Sequence, residues 1–181
     1  MNKIKKTDLR KYVFLGLLLA IEIILTRFCS VTTPIVRIGF GFVPIAVAAY
    51  LYGPMTAGLT YAAGDFIGAM LFPVGAFFPG FTLTAFCTGF AFGLLLHDHK
   101  FSLLRTITAA LGVSVGFNWF LDTLWVCMLA GSVQWDAYTG MLITRIFKPL
   151  FMFPVQFIVI RLVVTSPITR LGAYVSPYPR P

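Results

Sequence analysis

Two apolar stretches carry polar residues at helical spacing: Asn118, Asp122 and Trp125 at i, i+4 and i+7, and Arg145 and Lys148 at i, i+3. Such spacing puts each set on one face of a helix. If the two helices are antiparallel neighbours, Asp122 falls opposite Arg145 and Asn118 opposite Lys148. One chemistry open to this arrangement is a buried ion pair that only sets helix register. The other is recognition of a ligand. Arg27, Arg37, Arg145 and Lys148 outnumber Glu22 and Asp122, the acids expected in the same half of the chain's fold. A surplus of cations among Trp119, Trp125, Phe77 and Phe78 suits a flat anion, since guanidinium groups pair carboxylates bidentately and ring faces stack on rings.

Other chemistry-bearing residues read differently. Arg27 has the alternative of reaching out to lipid headgroups along its own aliphatic stem. Asp65, set in Gly64-Asp65-Phe66-Ile67-Gly68, is expected to hydrogen-bond a neighbouring helix in preference to a ligand. His97 and His99 stand at i, i+2 and point apart, so no metal site is expected there. Cys29, Cys87 and Cys127 stand singly in apolar contexts and read as small buried side chains.

The elements that position these residues must lie in a membrane. Of 181 residues, 59% are hydrophobic and only 11% charged, too much apolar surface for a soluble domain to hide. The fold class expected is an all-α integral membrane protein, one bundle of six transmembrane helices with both termini cytoplasmic. The formal charge of +8 does not imply nucleic acid, because the basic residues cluster at the ends of apolar runs and so report topology. Arg27, Arg37, Arg145 and Lys148 are the exceptions among fourteen Lys and Arg to an inner-side placement. At membrane depth each charge costs roughly 2.5–3.5 kcal/mol on insertion scales, which is why these exceptions call for a partner or a purpose.

The expected spans are 12–30, 38–52, 55–72, 81–96, 103–128 and 138–164, with 1–164 a single domain and 165–181 a cytoplasmic tail. Pro44 is expected to kink the second span, and Pro149 and Pro154 to bend the sixth. Small residues four apart (Gly16 and Ala20, Gly89 and Gly93, Gly112 and Gly116) offer faces for close helix approach. Between spans three and four, Phe72 to Leu83 holds two prolines and two glycines that forbid a continuous helix. A stiff aromatic connection there is expected to act as a lid or wall over a cavity.

Motifs for energy conversion and catalysis are missing. There is no G-x-x-x-x-G-K-[ST] loop for ATP, and no H-E-x-x-H or G-x-S-x-G signature of a hydrolase. The chain is expected to be neither an enzyme nor the holder of a cofactor.

Five segments in order carry a resemblance that spans about 13–164: Arg37 to Pro44 (RIGFGFVP), Gly64 to Gly68 (GDFIG), Phe78 to Leu83 (FPGFTL), Asp122 to Trp125 (DTLW) and Arg145 to Lys148 (RIFK). Together they resemble the folate-specific S components of energy-coupling-factor (ECF) vitamin transporters, a type of ABC transporter. Asp122 departs from the Asn expected at the head of the Asn-Thr-Leu-Trp motif. The resemblance implies capture of one vitamin in the outer half of a six-helix bundle, in a prokaryotic plasma membrane. It also implies association with a transmembrane coupling subunit and two cytoplasmic ATPases, with toppling in the membrane carrying the vitamin inward. Gly16 and Ala20 match the small-residue motif that meets the coupling subunit.

Folate carries a flat pterin, a benzoyl linker and a dianionic glutamate. Burying the ring and leaving the carboxylates near the mouth is the cheaper orientation. Asn118 and Asp122 would then meet the pterin's amino and N–H edge, with Trp119, Trp125, Phe77 or Phe78 stacking. Arg37 and Arg145, with Lys148, would pair the carboxylates. An S component for another vitamin, or a stand-alone carrier using Asp65 for a coupling ion, are the alternatives.

Overall fold

A computed structural model describes residues 6–32, 37–73, 75–97, 103–131 and 134–165, except for the side chains of residues 6–8, 31, 32, 37, 103 and 164. His99, the tail from residue 166 onward and the Arg37 side chain lie outside the described residues. Helix α1 (Lys6–Arg27) leads to a two-residue antiparallel ladder, β1 (Val31–Thr32) on β2 (Arg37–Ile38), pairing Val31 with Ile38. Every other element of the described chain is a helix.

Prolines set where the next helices begin. Helix α2 (Phe42–Tyr52) carries Pro44 in its first turn, so the expected kink is not there. An N–H at that position has no acceptor inside the helix, and its loss costs nothing. Pro54 and Pro79 open α3 (Pro54–Leu71) and α4 (Pro79–Leu96) for the same reason. Gly53 alone separates α2 from α3, at φ +84, a conformation that side chains disfavour.

Helix α2 is apolar all round and correspondingly central: Ile45, Ala46, Ala48 and Ala49 are fully buried. Leu18, Ala57, Phe92, Ala110, Val113 and Ile160 from the surrounding helices pack into the same core. The outside is apolar too, with Leu17, Ile24, Leu59, Leu104 and Leu150 exposed, as lipid contact requires. Helices α3 and α4 press together through glycine: a Cβ on Gly89 would sit 2.6 Å from the Ala57 carbonyl oxygen, and one on Gly93 would strike Pro54. Gly112 and Gly116 meet nothing within 4 Å, so that pair packs against no described helix.

The expected fifth span is one rod in three parts: α5 (Leu103–Leu111), a π-helical stretch (Gly112–Leu121) and α6 (Asp122–Leu129). Bonding from i to i+5 widens the turn and rotates the faces of the rod relative to an α-helix. The expected sixth span is two helices, α7 (Trp135–Thr144) and α8 (Phe147–Thr165), meeting at 50°. The break falls at Arg145, four residues before Pro149. Proline offers no N–H to the carbonyl at i−4 and its ring crowds that carbonyl. The Arg145 oxygen takes the Lys148 N–H instead, at 3.0 Å.

Among the described residues, Pro79–Leu96 and Leu104–Leu129 are long and apolar enough to cross a membrane, and the bent α7–α8 pair makes a third if taken as one span.

Gly89→Val should destabilise the protein by about 1–3 kcal/mol through overpacking, read as a lower melting temperature in detergent. Gly112→Ala, into open space, should melt no lower than the unaltered chain. Equal melting of Gly89→Val would contradict the α3–α4 packing.

Candidate functional site

The last turn of α1, the first turn of α2 and the α3–α4 connection meet at one end of the bundle, around a cavity of about 640 Å³. That volume lies within the range of small-molecule sites. Pro73, Gly75, Ala76, Phe77 and Phe78 of the connection line it, so the proline-bracketed segment forms a wall. Phe77 packs edge-on against Phe66 at 5.8 Å, and Phe78 lies 5.7 Å from the Trp125 ring. Phe42, Tyr61 and Phe81 complete the aromatic lining.

The two tryptophans expected to stack, Trp119 and Trp125, stand outside that lining. Trp125 donates its Nε1–H to Thr84 Oγ1 at 2.9 Å and supports Phe78 from behind. Trp119 donates to the Leu142 carbonyl at 3.0 Å, fastening α7 to the rod. Asn118, within the π-helical stretch, and Asp122, at the start of α6, both do line the cavity.

Arg145, Lys148, Asn118 and Asp122 converge there, but in a different register from the expected one. Lys148 Nζ sits 2.7 Å from Asp122 Oδ2 and donates to the Asn118 backbone carbonyl at 3.1 Å. Lysine therefore takes the acid that the spacing assigned to arginine. The break before α8 explains the shift: Arg145 leaves helical geometry (φ −95, ψ 7), and its side chain turns to the Thr123 hydroxyl, Nη1 to Oγ1 3.1 Å. The residue is only 4% exposed, and its Nε has no partner among the described residues. No described carboxylate lies within salt-bridge distance of it.

Arg27 does not reach for headgroups. Its Nη2 donates to Asp65 Oδ1 at 3.3 Å and to the Asp65 carbonyl at 3.0 Å, while Thr82 Oγ1 donates to Asp65 Oδ2 at 2.9 Å. Asp65 thus ties α1 and α4 to α3, as expected of it, and also borders the cavity. The flanking glycines have a steric cause. A Cβ on Gly68 would lie 2.8 Å from Arg27 Nε, and one on Gly64 would strike the carboxylate of buried Glu22. Of the cysteines, Cys127 is buried, Cys87 is half-buried and Cys29 is exposed, contrary to expectation for the last. Gly16 and Ala20 are exposed on α1, with nothing within 4 Å of a Cβ at Gly16.

Sequence reasoning missed Thr88 and Gln156. Both line the cavity, both are buried, and Thr88 Oγ1 and Gln156 Oε1 lack partners among the described residues. Gln156 had a legible signal: it is a polar residue in an apolar run, eight residues after Lys148 and so on the same helix face.

An all-helical membrane protein whose cations, amides and ring faces converge on one cavity is a solute-binding membrane component. Residues 10–164 match the model of the family described as the ECF transporter, substrate-specific component. The chain belongs to that family, which makes it a transporter component and not an enzyme. It is 39% identical over 148 residues to the folate transporter FolT of Clostridium novyi (strain NT), covering 82% of this chain and 84% of the relative. A folate transporter FolT of Leuconostoc mesenteroides subsp. mesenteroides is 33% identical over 153 residues, covering 83% and 82%. Among solved structures, FolT bound with folic acid superposes with a TM-score of 0.77 at 31% identity, over 84% of this chain and 90% of that one.

Lys148→Met leaves Asp122, whose side chain is 15% exposed, unpaired and should cost about 3 kcal/mol in stability. Asp122→Leu combined with Lys148→Met should recover most of the loss. A single variant that melts with the unaltered protein would mean the pair is not desolvated.

Proposed function

We propose that this chain is the folate-binding S component of an ECF-type ABC transporter. It captures folate from the outer side of a bacterial plasma membrane and delivers it inward with a coupling subunit and two ATPases. The observation that carries the reading is Arg145, a guanidinium on the cavity wall with an unpartnered Nε and no described carboxylate in range. A buried cation of that kind calls for an anion from outside the protein. Support for folate as that anion comes from relatives that are folate transporters and from a similar fold solved with folic acid.

In this reading Arg145 pairs a glutamate carboxylate, with Arg37 as a second cation and Lys148 holding Asp122 in place beside them. Asn118 and Asp122 flank the ring system, and Phe77 and Phe78 cover it. Trp125 acts through Phe78, and Trp119 through the placement of α7. The bundle crosses the membrane six times with both termini inside, and Gly16 and Ala20 of α1 meet the coupling subunit through a face that its own chain leaves open. ATP is hydrolysed on the partner subunits alone, and folate is cargo, not cofactor.

Arg145→Ala should weaken folic acid binding by a hundredfold or so, on the order of 3 kcal/mol, in titration calorimetry on the purified protein. Unchanged affinity removes Arg145 from the site. Gly16→Leu or Ala20→Trp should leave binding intact and abolish uptake into cells carrying the whole transporter; normal uptake refutes the docking role.

A further inference from the structure

Thr123, in the first turn of α6, is fully buried and makes two hydrogen bonds of opposite sense. Its hydroxyl donates to the Trp119 carbonyl one turn earlier and accepts from Arg145 Nη1 at 3.1 Å. A hydroxyl has one proton and a guanidinium has no acceptor, so the first bond prepares the second. With the proton committed to the backbone, the lone pairs are left for the cation. Thr84 on α4 is used in the same way: it donates to the Gly80 carbonyl at 3.2 Å and accepts the Trp125 indole N–H at 2.9 Å.

The same turn of the rod also holds Arg145 through the main chain. In an unbroken helix the Leu142 carbonyl would take the Ile146 N–H. That N–H goes to the Ile143 carbonyl instead, at 3.3 Å, and Leu142 takes the Trp119 indole N–H at 3.0 Å. Helix α7 buries none of its residues, so polar bonds to the rod carry its placement. Besides that of Trp119, these are Tyr138 Oη on the Phe120 carbonyl at 3.2 Å and Cys127 Sγ on Met141 Sδ at 3.5 Å. Trp119 and Thr123 are therefore joined to each other and to Arg145, one by way of its backbone and one at its guanidinium. Neither lines the cavity.

We infer that Thr123 and Trp119 are positioning residues for anion recognition. They hold the Arg145 guanidinium at the cavity wall in the orientation that receives a carboxylate, and they touch no ligand themselves. Orienting the cation beforehand spares the ligand the cost of ordering it. The inference rests on the reading of Arg145 as a folate-binding cation and deepens it.

The test is a double-mutant cycle in folic acid binding, followed by titration calorimetry on the purified full chain. Thr123→Val deletes the hydroxyl at nearly constant shape, and Trp119→Phe deletes the N–H while keeping a ring. Each should weaken binding about tenfold. Thr123→Ser keeps the hydroxyl and should bind as the unaltered chain does. In the Arg145→Ala background neither change should weaken binding further, a result that a general loss of packing would not produce. Should Thr123→Val not fold, Trp119→Phe carries the same comparison. Losses that persist in full in that background overturn the inference. So does a Thr123→Ser variant as weak as Thr123→Val, or full-strength binding by both Thr123→Val and Trp119→Phe. In those cases Arg145→Ala still binds weakly, and the folate reading stands. Full-strength binding by Arg145→Ala removes that residue from the site, and this inference with it. An unaltered chain that ignores folic acid overturns the folate reading and the inference together.

Discussion

Proline has no N–H for the carbonyl four residues before it, and in this chain that carbonyl belongs to Arg145. The helix that would carry Arg145 and Lys148 on one face therefore breaks between them, and its halves meet at 50°. Lys148 stays on the helix and reaches Asp122 and the Asn118 carbonyl. Arg145, held at the break, bonds a threonine hydroxyl and, among the described residues, forms no salt bridge. Two cations three residues apart thus acquire different partners, one a carboxylate and one a hydroxyl.

The opposite wall is built by a second device, in which glycine makes room for charge. Gly64 and Gly68 lie one turn apart on α3, and each lets a charged side chain of α1 approach the helix backbone. Arg27 then reaches Asp65, which Thr82 holds from the first turn of α4. Three helices are fastened at the level of the cavity through Asp65. Pro73 and Pro79 bracket the connection between two of those helices, and the phenylalanines between them are pinned by Trp125 and Phe66.

Matched pairs, Arg27 with Asp65 and Lys148 with Asp122, border the cavity. Among the described residues that line it, the Arg27 and Arg145 Nε atoms, the Thr88 hydroxyl and the Gln156 Oε1 have no hydrogen-bond partner. A buried polar group is costly until paired.

Composition and spacing by themselves determined the membrane setting, the helical class, the non-helical aromatic wall and the set of charges that need an explanation. Each follows from local rules: apolar content, the geometry of proline, and the cost of charge in lipid. They also placed Phe77, Phe78, Asn118, Asp122, Arg145 and Lys148, which the structure brings to one cavity. Which charges pair was beyond them. The register between Arg145, Lys148 and Asp122 depends on a break and on a π-helical stretch, and neither obeys the period from which faces are counted. The retreat of Trp119 and Trp125 behind the wall, and the exposure of Thr88 and Gln156 to the cavity, were likewise decided by tertiary packing. Whether a buried polar atom is satisfied depends on what lies across the space from it, and a linear sequence does not contain that distance.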